Sequence, residues 1–357
     1  MQVALWNCTL EIVIYNNGMK NKYSNKYLIE TGIGLQDVDK LKNSSYFLNE
    51  SNRYIKGEIS LDELDEIINS YYKSKPSIDR SEEADKIAVK ISKCISDDSF
   101  TFTVGQLLAI HKTLFENVFE HAGKLRSYNF IKKEWVLDGE SVTYGDFHEL
   151  ESTLQYDFEL ERNFKYKNLS IDQIINHLAN FIANLWQIHV FEEGNTRTVA
   201  VFFIKYLRSL GFDVTNDVFA KNAWYFRNAL VRANYNNIIK GIYEDKTYLI
   251  KFLRNLLLNE KNELSNKELH IGSITDKDNS KESRVLKHIE TNPYIKTDDL
   301  ASLLGISVRT IKSVLKTLVV NKTIVRVNGK RYGYWKIIKK HHYLKEENIN
   351  YRKCYLL

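Results

Sequence analysis

Proline is nearly absent from this chain: Pro76 and Pro293 are the only two in 357 residues. Proline removes a backbone N–H and clashes with the preceding turn, so a chain this poor in it can run many uninterrupted helices. The apolar spacing agrees. Leu61, Leu64, Ile67 and Ile68 recur at helical intervals behind Ser60, a good N-cap. Thr103 stands before Leu107, Ile110, Leu114, Phe115 and Val118, and Ser170 before Ile171, Ile174, Ile175, Leu178, Phe181, Ile182 and Leu185. Stripes this regular predict amphipathic helices packed on a core, and a mainly α fold class.

Other classes fall away. With 43% hydrophobic residues the chain can build two or three cored domains, which excludes long disorder. Cys8, Cys94 and Cys354 are too scattered for a disulfide framework or a zinc cluster, which points to a reducing compartment. No apolar run reaches the ~18 residues of a membrane span. The apolar start, MQVALWNCTLEIVIY, lacks a basic region and carries Glu11, which argues against a signal peptide. Met19 offers a second start. A cytoplasmic protein with no membrane partner is expected.

Charge divides the chain. Residues 283–340 hold thirteen Lys/Arg against Glu290, Asp298 and Asp299, a net of +10, and leave residues 1–282 at −5. Partners of two kinds are implied. Composition suggests an N-terminal segment 1–75, a helical body 76–263, a polar linker 264–282, a basic module 283–340 and a tail 341–357. Within the body, YNFIKKEWVLDGESVTY (128–144) is β-favouring and contains Asp138-Gly139, a strong hairpin signal. A lone hairpin in a helical body is marginal by itself, so it either packs on the bundle or pairs with something else.

The chemistry concentrates after the Ser170 helix, in HVFEEGNTRTVAVFFIKYL (189–207). Gly194, Asn195 and Thr196 open the next apolar helix, where unpaired amides and the positive dipole end favour an anion such as phosphate. Arg197 in the first turn opposes the dipole, so its charge serves an anionic ligand. Glu193 can hold Mg²⁺ bridging phosphates, and His189 can act as a general base. The competing reading is an ordinary turn in which Asn195 caps, Gly194 bends and His189 packs.

His189, Phe191, Glu193, Gly194, Asn195 and Arg197 match the spacing of HxFx(D/E)GNGRxxR, and the chain here resembles the Fic (filamentation induced by cAMP) family. LLAIHKTLFENVFEHAGKLRSYN (107–129), with Gly123 and Arg126, resembles that family's upstream segment. The resemblance implies a Fic-type helical bundle over about 80–260 with a β-hairpin flap. His189 would deprotonate a hydroxyl of a target protein (Ser, Thr or Tyr), which attacks a phosphate of ATP. Glu193 would hold Mg²⁺; Gly194, Asn195, Thr196 and Arg197 would hold the phosphates; Phe191 would wedge the loop. Tyr225 and Asn234 would contact the nucleoside. The flap, with Trp135, Val136, Leu137 and Asp138, would register the target by strand addition.

This chain departs from the pattern. Ala200 replaces the second arginine, Thr196 the second glycine, and Val190 a proline. AMP transfer is the first expectation, phosphate transfer as in the Doc branch or transfer of another nucleotide the second, and a DNA-binding regulator with a nucleotide-sensing fold the third. YLIETGIG (27–34) resembles a VbhA-like antitoxin segment, with Glu30 as the regulatory residue reaching Arg197 and Lys26 where Ser or Thr is usual. An ordinary packing helix is the other reading.

Residues 283–338 resemble a winged helix-turn-helix: a helix with Val285, Leu286 and Ile289, a break at Pro293, a helix 297–306 capped by Thr297 and stopped at Gly305, a third capped by Ser307, and an Asn328-Gly329 wing. The third helix would read DNA with Arg309, Thr310 and Lys312, while Lys330 and Arg331 reach phosphates. The other reading is a protein-interaction or lid domain. A homodimer completes the expected partners.

Overall fold

The computed structural model describes residues 23–75, 79–240, 242–272, 281–329 and 333–338, and divides into units 1–271 and 272–357. Pro76, Cys8, Cys354, Lys330, Arg331, both candidate starts and the tail lie outside the described residues.

The first unit contains α1 (Asn25–Gly34), α2 (Ser45–Ile55), α3 (Leu61–Ser74), α4 (Ser81–Ser96), α5 (Val104–Phe115), α6 (Leu150–Asn163), α7 (Ile171–Ile188), α8 (Asn195–Ser209), α9 (Val218–Ala233), α10 (Thr247–Leu258) and the single turn α11 (Asn266–Leu269). Caps fix the starts. Ser60 and Ser170 form reciprocal capping boxes with Glu63 and Gln173, and the Thr103 hydroxyl accepts from the Gln106 amide. Every residue of α8 from Asn195 to Leu207 is buried, so this helix is the central rod, with α4, α5 and α7 packed on it. Phe102, Phe158, Phe181, Phe202 and Tyr206 interlock along one flank with centroids 4.6–6.5 Å apart. No helix among the described residues is long and apolar enough to cross a membrane.

The N-terminal segment is integral to this unit. Helix α1 packs on α4 and α9, and Gly32 lets it come so close that an added Cβ would overlap the Ala88 carbonyl. Asp85, fully buried, accepts from the Asn43 side chain (2.9 Å), the Ser44 amide (3.0 Å) and hydroxyl (2.6 Å), and the Tyr72 hydroxyl (2.7 Å). One satisfied carboxylate thereby ties the start of α2 and the end of α3 to α4. A 3₁₀ turn, Leu35–Asp39, follows α1 and directs Gln36 and Asp39 inward.

The expected hairpin over 128–144 is corrected. Among the described residues this stretch has no strand; it is an irregular loop around a 3₁₀ turn, Trp135–Leu137. The Asp138-Gly139 turn forms, with both φ positive (53° and 85°), and the Glu134 amide donates to the Glu140 carbonyl at 2.9 Å. Val136 and Leu137, however, are fully buried, and burying them folds the chain inward in place of an exposed ladder. The linker boundary also moves. Leu269 and Ile271 are buried in the first unit, so residues 264–271 pack on it although their composition is polar.

The second unit has α12 (Lys281–Thr291), α13 (Thr297–Leu304), α14 (Val308–Val320) and an antiparallel pair, β1 (Ile324–Val327) with β2 (Tyr334–Ile337), in which Arg326 faces Trp335. Val285, Ile289, Leu300, Ile311, Leu315 and Ile324 form its own core. Gly305 ends α13 at φ 63°, and the Ser307 hydroxyl accepts from the Thr310 amide. Lys296, not Thr297, takes the N-cap position of α13, so Thr297 opens the helix proper. The Pro293 carbonyl accepts from the Trp335 amide at 2.8 Å, joining the break after α12 to the strand pair.

Candidate functional site

The site forms where α7 hands over to α8. His189 leaves α7 in the left-handed region, φ 53°, and Gly194 precedes α8 at φ 77°. Gly194 is required twice over: its φ favours glycine, and a Cβ there would overlap the Phe115 ring. Asn195 staples the loop, its amide nitrogen donating to the Phe191 carbonyl (2.6 Å) and its oxygen accepting from the Phe191 amide (2.9 Å). Phe191 stacks flat on His111, centroids 3.7 Å apart. The Nδ1 atom of His111 accepts from the Gly123 amide (2.8 Å), which leaves Nε2–H to donate to the Glu193 carbonyl (3.1 Å). Burial holds His111 down to about 4, so it stays neutral in this role.

Arg126 organises the other side. Its Nε donates to the His189 carbonyl (2.8 Å), Nη1 to the Tyr128 carbonyl (2.7 Å) and Asn129 Oδ1 (3.0 Å), and Nη2 to the Gly145 carbonyl; its amide donates to the Val190 carbonyl (2.9 Å). A buried guanidinium shared among carbonyls holds the strained His189 backbone in place.

The His189 ring lies on Tyr144 (centroids 4.1 Å) and edge-on to Trp186 (5.2 Å); it is 3% exposed, and its Nδ1 has no partner among the described residues. Burial first, then the charges of Lys132 and Arg227, hold its pKa well below the ordinary histidine value. It is therefore neutral at pH 7 and able to accept a proton. Beyond it the first backbone bond of α8 is the Thr198 amide to the Gly194 carbonyl. The amides of Asn195, Thr196 and Arg197 lie before it, at the positive end of the helix. The Thr196 hydroxyl accepts from Trp186 Nε1 (2.9 Å), so its added bulk points into the core and leaves only its backbone at the helix tip.

Arg197 is engaged by the protein itself. It has no exposed surface, and its guanidinium meets Glu83 (2.9 Å), Asp39 (3.0 Å) and Gln36 (3.1 Å), with Phe115 at 4.9 Å. Two protein carboxylates thus balance the charge expected to serve an anionic ligand. Burial pushes the Asp39 carboxyl up, but Arg197, then Lys132 and Arg227, hold it below the usual range. Glu30 is corrected: it faces solvent, one turn from Lys26 (3.8 Å), and the acids that reach Arg197 are Asp39 and Glu83. Tyr225 and Asn234 are bonded to backbone carbonyls. The Tyr225 hydroxyl donates to the Tyr248 carbonyl (3.2 Å), and the Asn234 amide to the Ala183 (2.9 Å) and Leu230 (3.0 Å) carbonyls. Both side chains are buried.

A cavity of about 420 Å³ adjoins the loop, lined among others by Asp39, Lys132, Glu193 and Arg227, with Trp135 and Trp224 as aromatic walls 6.4 Å apart. Lys40, Arg80 and Lys133 bring its cations to five, against Asp39, Glu134 and Glu193. Among the described residues no cluster of three metal-ligating side chains occurs. Glu193, half exposed and 3.8 Å from Lys132, suits Mg²⁺ only when phosphates supply further ligands, which is how that ion is usually held. Of the loop 128–144, Trp135 and Asp138 are exposed, and Val136 and Leu137 are turned inward. In the second unit Arg309 and Lys312 are exposed and Thr310 is half-buried against Ser307.

Sequence reasoning assigned no role to His111, Lys132, Asp39, Gln36, Glu83 or Trp224. His111 carried a signal: a polar residue on the Leu107–Leu114 stripe. Asp39 and Glu83 carried none, because their meaning depends on a helix packed far from Arg197 in sequence.

Residues 101–207 match the Fic/DOC family. The protein adenylyltransferase VbhT of Bartonella schoenbuchensis is 26% identical over 117 residues, which are 32% of this chain and 23% of that protein. The chain thus spans under a quarter of the length of that curated relative. A crystal structure of a Fic family protein from Desulfovibrio desulfuricans G20 superposes with a TM-score of 0.41, at 13% identity, over 88% of each chain.

Proposed function

With residues 101–207 forming a Fic/DOC family domain, we propose that the chain is a Fic-type transferase that moves AMP from ATP to a hydroxyl of a target protein. The observation that carries this reading is a neutral, buried His189 with an unpartnered Nδ1, placed six residues before Asn195, the amide-lined start of α8. His189 takes the proton of a Ser, Thr or Tyr hydroxyl. The hydroxyl oxygen then bonds to the α-phosphorus as the bond to the β-phosphate oxygen breaks, and pyrophosphate leaves. The amides of Asn195, Thr196 and Arg197 hold phosphate oxygens. Glu193 would hold Mg²⁺, which supplies charge neutralisation to the phosphates. The net positive, tryptophan-walled cavity suits a nucleoside triphosphate. Trp135 and Asp138, exposed beside it, face the incoming target.

Label distinguishes the chemistries. α-Labelled ATP should mark a protein in a lysate and γ-labelled ATP should not; transfer of γ label alone would replace AMP transfer by phosphate transfer. His189→Ala should abolish labelling.

The engaged Arg197 supports a restraint supplied by the N-terminal segment, with Asp39 and Gln36 in the role first given to Glu30. Asp39→Ala should raise the labelling rate if this holds, and leave it unchanged if the contact is only structural.

A second reading applies to the basic unit. Arg309, Lys312 and Lys316 are exposed along α14, and the unit's +10 charge favours DNA. Specific binding that weakens steeply with salt, and weakens further in Arg309→Ala, would support a winged helix-turn-helix. Salt-insensitive binding would oppose it.

A further inference from the structure

Resting on the nucleotide reading above, we propose that Lys132 contacts the distal phosphates of the bound nucleotide.

The inference follows from what each cation near α8 is already doing. Arg197 is sealed by Glu83, Asp39 and Gln36. Arg80 grips both oxygens of Glu83, at 2.6 and 2.7 Å. Arg227 is bonded to the buried Glu134 at 2.8 Å, Lys40 lies over the Trp224 ring at 4.9 Å, and Lys133 is turned to solvent. Ala200 is fully buried and offers nothing. Lys132 differs: its ammonium lies 3.8 Å from Glu193 and 3.9 Å from Asp39, both beyond hydrogen-bond length. Its three donors are therefore poorly used by the protein, in a cavity that the metal candidate Glu193 also lines.

The backbone beneath it is fixed. The Lys132 amide donates to the Ser141 hydroxyl (3.3 Å), and the loop is anchored by buried Val136 and Leu137. Only the flexible stem moves, so a point charge waits at the cavity mouth and can follow a phosphate without repacking the core. Its charge also lowers the His189 pKa, after burial and ahead of Arg227. An ammonium lacks the planar fork of arginine, so it would attract the distal phosphates without fixing one orientation as a bidentate arginine does.

Calorimetric titration of the full chain with magnesium-ATP and with AMP tests the assignment. Lys132→Gln should weaken ATP about tenfold to hundredfold, the range for losing a bond to a charged group, and leave AMP within about twofold. Lys132→Arg should restore ATP to within about fivefold of the parent, since the charge returns. Equal weakening of ATP and AMP, or no weakening of either, would overturn the proposal. A parent chain that binds neither nucleotide would instead remove the nucleotide reading on which it rests.

Discussion

Arg126→Lys is the substitution whose effect the structure best determines. The guanidinium supplies bonds to the carbonyls of His189, Tyr128 and Gly145 and to Asn129 Oδ1, and it is 3% exposed. Lysine keeps the charge but has a single nitrogen, which cannot sit at two ends of this fan together. We expect about half the bonds to be lost. At roughly 1.5–3 kcal/mol for each bond to a charged group, partly recovered by water, the loss is about 2–4 kcal/mol. With a urea slope of ~3 kcal/mol/M, the midpoint of the first unit's transition should fall by about 1 M. The second consequence is catalytic. The Nε bond holds the carbonyl of a residue at φ 53°, so its loss lets His189 relax, and misplacement by ~1 Å can cost about a hundredfold in rate. Denaturation followed by circular dichroism, together with kcat and KM for ATP, checks both: kcat should fall and KM should hardly move. A midpoint within about 0.2 M of the parent, with kcat intact, would refute the argument that Arg126 positions the loop.

Three further outcomes follow from the same geometry. Gly194→Ala should destabilise by more than ~2 kcal/mol, because strain at positive φ adds to overlap with Phe115, and should lower the thermal midpoint and labelling together. Asp39 has a folded pKa below its unfolded value near ~3.9, so the stability it adds is full above that pH and lost as pH falls through the folded value. Asp39→Asn should accordingly flatten the acid limb of stability against pH, and an unchanged limb would contradict the Arg197 contact. For His189 the folded pKa is depressed, so the base form persists below the ordinary ~6.5; the acid limb of kcat/KM should lie under that value, and a limb at 6.5 would mean an exposed, unperturbed ring.

The helical body was legible because its apolar stripes and caps are local: Ser60, Thr103 and Ser170 start helices by bonds three residues away. The loop His189–Arg197 was legible for the same reason, its residue types and spacing lying within nine positions. What the sequence could not display was the choice among partners distant along the chain. Arg197 meets Glu83 and Asp39 because α4 and the Leu35–Asp39 turn pack on α8, partners that local reasoning could not supply. Tyr225 and Asn234 likewise spend their polar atoms on backbone carbonyls that only the folded chain brings near. The 128–144 stretch misled because Asp138-Gly139 does turn the chain, whereas burial of Val136 and Leu137 decides what the turn connects.

The segment after α10 has a practical meaning for anyone who divides this protein. Asn266 accepts from the Asn228 side chain (2.7 Å), the Glu268 carbonyl accepts from the Tyr248 hydroxyl (2.9 Å), and the His270 ring sits edge-on to Trp135 (4.6 Å). This short stretch is a buttress behind one wall of the cavity. A truncation at Leu264, the point suggested by composition, would strip that support and leave Trp135 to collapse or swing outward, while a cut at Gly272 keeps it whole. Force applied along the chain at Gly272 would likewise be borne first by the buried Ile271 and by His270, whose ring lies against the cavity's aromatic wall.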